Sequence, residues 1–197
     1  MKNLSQDSYV VQFKLVLTLV LFSIVTRLTL PPLLGHPVNF SPIDAVALFC
    51  GAYFSRFSLA IFATLCTVWV SDIIITKCML GHWALSYPGF YWQYACYAFM
   101  TFIGTATLTL KVKPLRLLSA CLASSVLFFI VTNFGVWYSK LLYPSTLNGL
   151  IACYVAAIPF FKNTLLSDLF FSLVLFKTYE WIVQFTKQAS PIAKQHV

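Results

Sequence analysis

Cys78, with Lys77 before it and His82 four residues on, forms the group in this chain whose types and spacing could do chemistry. The other cysteines, Cys50, Cys66, Cys96, Cys121 and Cys153, lie inside apolar runs, where a thiol behaves as a small hydrophobe, whereas Cys78 falls in a polar connection. No CxxC pair suggests zinc or thiol exchange. A thiolate is a soft, strongly donating metal ligand and a nucleophile, and the cation of Lys77 favours its ionised form. On a helical turn His82 would share the face of Cys78, as an alternative ligand or hydrogen-bond partner. The two could also form a thiol nucleophile and its base, although no third group that would orient them is evident. The plainer alternatives are an inert thiol packed under the connection and an imidazole at the membrane interface.

A second set of polar residues recurs at one depth. Asp44 and Asp168 each stand near the start of an apolar run, where a carboxylate meets the unpaired N–H groups of a helix N-terminus. Asp72 stands near the end of a run and has no such account; a carboxylate at membrane depth is costly unless it faces protein or a wet cavity. At the same level gather His36, Asn39, Phe40, Tyr87, Tyr91, Asn133 and Trp137, with Trp92 and Tyr138 fitting an interfacial aromatic belt. Aromatic walls carrying a few amides are how a small-molecule site is built, so Asn39, Phe40, Asp72, Tyr87, Tyr91, Asn133 and Trp137 are candidate lining residues beside Cys78 and His82.

The elements that must position these residues are membrane helices. The chain has 197 residues, 60% of them hydrophobic and 9% charged, where a soluble domain carries about a quarter charged residues. Apolar runs at 10–30, 41–54, 57–76, 90–110, 117–138 and 164–183 predict six helices in a single transmembrane domain, 1–197. The first is too long for a signal-peptide core and ends in Leu30-Pro31-Pro32 without a small-residue cleavage site, so it is expected to stay. A further stretch, 147–161, is marginal in length and contains Pro159; it reads as a partly re-entrant helix covering the fifth connection, with a seventh span as the alternative.

The basic residues set the expected orientation. With six spans, Lys2, Lys14, Arg56, Lys111, Lys113, Arg116, Lys177, Lys187 and Lys194 fall on one side, against Arg27, Lys77, Lys140 and Lys162 on the other. The richer side is cytoplasmic, which puts both termini inside and the connections that carry the candidate site outside. The net charge of +8 is dispersed among apolar segments, fits the face of a lipid bilayer, and builds no nucleic-acid groove. The sequence contains no GxxxxGK[ST] loop, so nucleotide hydrolysis would need a partner.

The segments His36-Pro37-Val38-Asn39-Phe40-Ser41-Pro42-Ile43-Asp44, Ser71-Asp72, Thr132-Asn133-Phe134-Gly135-Val136-Trp137 and Asn163-Thr164-Leu165-Leu166-Ser167-Asp168 resemble the substrate-binding (S) components of energy-coupling factor (ECF) vitamin transporters. Among these the chain looks most like the BtuM-type vitamin B12 (cobalamin) transporters of the bacterial inner membrane. The resemblance implies a six-helix, all-α integral membrane bundle whose outer loops close over a vitamin. It also implies that Cys78 is the axial ligand of the cobalt of cobalamin, bound as substrate, with no intrinsic cofactor and no catalytic residue. Another small vitamin or a nucleobase-like metabolite is the alternative ligand. The run 15–30 has no AxxxA for docking on an ECF energising module, so a solitary transporter is the alternative to an ECF complex.

Overall fold

The computed structural model describes residues 6–35, 39–108 and 112–189; His36, Lys2, Lys111 and Lys194 lie outside them. Six helices follow in order: α1 (Gln6–Leu33), α2 (Ile43–Tyr53), α3 (Phe57–Leu80), α4 (Phe90–Thr107), α5 (Pro114–Tyr138) and α6 (Leu147–Ala189). Four contain stretches long and apolar enough to cross a membrane: Phe13–Leu30, Phe57–Met79, Pro114–Tyr138 and Leu147–Phe185. Local chemistry marks the ends. Pro114 occupies the first turn of α5, where its missing N–H is not needed. Gly81, at φ 77°, closes α3 by donating its N–H to the Lys77 carbonyl.

The centre of the bundle is α2. Its 11 residues rise about 16 Å, roughly half of the hydrocarbon thickness, and every residue from Ile43 to Ala52 is buried. A helix sheathed by protein on all sides need not match the bilayer. Close approach to α4 depends on two glycines. A Cβ at Gly51 would collide with the Thr101 carbonyl oxygen, and one at Gly104 with that of Leu48. Thr105 then donates its hydroxyl to the Gly51 carbonyl at 3.0 Å, and Thr101 donates to Thr64 of α3 at 3.0 Å. At the other end of α2, away from Asp44, Phe49 and Tyr53 pack their rings on Phe176 and Tyr179 of α6.

Residues 147–161 do not form the separate re-entrant helix expected from the sequence. They are the first part of α6, which continues for 43 residues, about 65 Å. The helix opens where the Thr146 hydroxyl accepts the Gly149 N–H at 3.1 Å. Pro159 removes one backbone donor and leaves the Val155 carbonyl without its helical partner, yet ending the helix there would expose several such groups in apolar surroundings. The N-terminal part of α6 therefore stands as a wall against the C-terminal part of α5, with Phe129 packed on Tyr154 and Phe161.

Candidate functional site

The end of the bundle formed by the C-terminal parts of α1, α3 and α5 and the N-terminal parts of α2 and α4 carries a polar cluster. Arg27 of α1 meets Asp72 of α3 at 2.7 Å, the two side chains being 22% and 12% exposed, and donates to the Ser71 hydroxyl at 2.6 Å. The Tyr94 hydroxyl donates to Asp72 at 3.1 Å. Tyr87, in the α3–α4 connection, lies 3.0 Å from Gln93 Oε1 and 3.4 Å from Asp72. Burial first, and then the Asp72 carboxylate, pushes the Tyr87 phenol above its ordinary range, so it remains a neutral donor at physiological pH. The carboxylate that lacked a helix-terminus account thus has an ion pair instead.

Beside this cluster three cavities adjoin. One, of about 280 Å³, lies between α5 and α6 and is lined by Asn39, Phe128, Asn133, Cys153, Phe161 and Thr164 among others. The second, of about 240 Å³, reaches Arg27, Phe40, Ser41, Asp44, Ile75, Met79 and Tyr97. The third, of about 490 Å³, is lined by Tyr91, Trp92, Thr132, Ser139 and Leu142. Gln93 borders all three, and the first two also share Asn39, Phe128 and Thr164. Their volumes are those of a cup that accommodates a small organic molecule. The Asn133 amide nitrogen donates one N–H to the Phe129 carbonyl at 2.8 Å, leaving its second N–H and its amide oxygen to offer a ligand.

Asp44 and Asp168 meet below the cup. Asp168 was expected in the first turn of a helix; the continuity of α6 places it deep inside one, with no helix terminus to stabilise its charge. It is fully buried, and Asp44 is 6% exposed. The two carboxyl groups are in hydrogen-bond contact with each other, and the Ser125 hydroxyl donates to Asp168 Oδ2.

Of the residues expected from the sequence, Asn39, Phe40, Tyr91 and Asn133 line the cup, while Asp72 and Tyr87 stand behind it, Tyr87 against Gln93. Trp137 donates its indole N–H to the Pro144 carbonyl at 3.0 Å and braces the α5–α6 connection. Cys78 lies not in a connection but on the exposed last turn of α3, next to the cup-lining Met79. The expected Cys78–His82 helical face is interrupted, because α3 ends at Leu80 and Gly81 turns left-handed. Lys77 is engaged elsewhere too: its ammonium donates to the Gly81 carbonyl at 2.9 Å and lies 5.6 Å from the centre of the Trp83 ring. Trp92 does more than mark an interface, since its indole fills the space that a side chain at position 135 would need.

Sequence reading missed Gln93, Arg27, Phe128, Thr132 and Thr164. Arg27 had a signal: an arginine inside an apolar span needs an acidic partner, and Asp72 was the carboxylate left without one. Gln93 had a weaker one, as the amide within Phe90-Tyr91-Trp92-Gln93-Tyr94.

Fold and site together define a helical, multi-pass membrane protein with a polar and aromatic cup at one end of its bundle. The chain belongs to a family of unknown function, DUF6580, whose model matches residues 8–191. No curated protein and no solved structure matches it.

Proposed function

We propose that this protein takes up a small vitamin-class molecule across the bacterial inner membrane, binding it in the cup from the outer side with both termini in the cytoplasm and all six helices embedded. The observation that carries the reading is the meeting of three cavities at Gln93, with amides and aromatic rings on their walls. The basic bias of the sequence supports the orientation. Cobalamin is the first ligand to test. Its planar corrin would lie across the mouth of the cup, where the exposed sulfur of Cys78 could take the axial position on cobalt. A smaller vitamin or nucleobase-like metabolite held wholly inside the cup is the second reading, favoured by the position of Cys78 beside the lining rather than in it.

Mass spectrometry of small molecules that copurify with the detergent-solubilised protein distinguishes these ligands. A corrinoid whose absorbance changes in Cys78→Ala supports the first reading; a corrinoid spectrum indifferent to that substitution removes the thiol, and a different metabolite supports the second. A membrane-impermeant maleimide applied to intact cells checks the orientation. Cys78 should label, whereas a cysteine placed at Lys113 in a Cys78→Ala background should not, and labelling at position 113 would invert the proposed topology.

A further inference from the structure

The carboxyl pair below the cup joins α2 to α6. Asp44 on α2 and Asp168 on α6 face each other, with no cation between them among the described residues. Arg27 borders the same cavity as Asp44, but its guanidinium is engaged by Asp72 and Ser71. Among the described residues, the remaining titratable groups that act on the pair are Cys96 and Tyr97 on α4 and Cys121 on α5, all ordinarily neutral. Among the described residues Asp168 Oδ1, completely buried, meets no N–H or O–H donor, although the Asp44 carboxyl is in contact with its side chain. Two acceptor-only carboxylates in such contact would repel in a low dielectric, and neither could satisfy the other. One proton between them supplies the missing donor and removes one of the two charges. Asp44 also borders the cup, which gives that proton a route to water.

We propose that Asp44 and Asp168 form a proton-binding site that exchanges with water through the cup. One carboxylic acid donates to the other carboxylate, so the pair carries a single negative charge and one proton. Taking up a second proton from water neutralises the pair, and returning it restores the charge. Under the uptake reading, on which only this consequence rests, the site lies where proton binding can be coupled to filling or emptying of the cup.

Infrared spectroscopy of the full chain in lipid nanodiscs, without added ligand, tests the site independently of any transport activity. At neutral pH the carbonyl band of a protonated carboxylic acid is expected, shifting when H₂O is replaced by D₂O. Asp44→Asn and Asp168→Asn should each abolish it, because the introduced amide donates to the remaining carboxylate. Ser125→Ala should move the band without removing it. Absence of the band from the wild-type protein overturns the proposal whether or not any variant folds. A band unchanged by both asparagine substitutions places the proton elsewhere, and one that stays unshifted through prolonged D₂O exchange refutes the route through the cup.

Discussion

Two acidic clusters border the same cup and satisfy their charge in opposite ways. Asp72 has Arg27 at 2.7 Å and accepts a hydrogen bond from Tyr94, whereas Asp168 has another carboxyl group, one serine hydroxyl and, among the described residues, an oxygen without a protein donor. The first is internally complete. Nothing need enter or leave it, and its evident work is to tie α1 to α3 and to position Tyr87 behind Gln93. The second is complete only with a proton. Carboxylates beside the same cup therefore take different roles according to their partners, not their position along a helix.

The largest expected effect comes from breaking the complete cluster. Arg27→Ala leaves the half-buried Asp72 carboxylate without its cation, and should lower stability by up to about 3–5 kcal/mol, the cost in a fully buried pair. Replacing both partners, as Arg27→Met with Asp72→Leu, should restore most of that loss, because neither charge then remains buried. Thermal unfolding in one detergent measures both; a double variant as unstable as Arg27→Ala would show that the guanidinium acts through Ser71 rather than through Asp72.

Asp168→Asn is the matching test of the incomplete cluster and should change stability by less than about 1.5 kcal/mol. The amide keeps the shape of the carboxyl group and brings the donor that the pair lacks. If it destabilised the protein as strongly as Arg27→Ala, the two clusters would not differ in the way their partners imply.

The same contrast explains what the sequence could disclose. Most of α3 and α5 was legible because uninterrupted apolar runs of sufficient length have few alternatives in a membrane. The continuity of α6 was not, since Pro159 and the polar Lys162-Asn163 that follow imitate a boundary, and whether a proline ends a helix depends on what surrounds it. Asn39, Phe40, Tyr91 and Asn133 were found as lining residues because amides and rings at one depth have a composition signal. The pairing of Arg27 with Asp72 could have been drawn from charge alone. That of Asp44 with Asp168 could not: it requires α2 to sit at the centre of the bundle, and this depends on glycines 51 and 104 admitting α4, a fit that no periodicity reveals.

A smaller effect is expected where the complete cluster meets the cup. Gln93→Leu keeps approximate side-chain size and removes the amide common to all three cavities, so under the proposed cobalamin reading affinity for that ligand should fall roughly two- to tenfold, the equivalent of one hydrogen bond, with little change in stability. Isothermal titration with cobalamin measures it. Unchanged affinity would mean that a bound corrin lies above Gln93, and would confine recognition to the rim near Cys78.

Tyr87→Phe should have the smallest effect on binding, because Tyr87 acts on the cup through Gln93 and does not line it. Its second consequence appears at alkaline pH. Burial and the neighbouring Asp72 raise the folded-state pKa of this phenol, so above about 10, where an unfolded tyrosine ionises, the unfolded chain loses its proton while the folded one retains it. The unfolded state then binds fewer protons than the native state, and stability must fall as pH rises through that range. Removing the phenol removes its share of the decline. The unfolding temperature of Tyr87→Phe should therefore fall less steeply than that of the wild type between pH 9 and about 11, while the two run parallel from pH 6 to about 8, where the tyrosine is neutral in both states. Parallel curves throughout would mean that Tyr87 ionises as readily in the folded protein as in the unfolded chain, which its contact with Asp72 does not allow, and would sever the link from the ion pair through the phenol to Gln93.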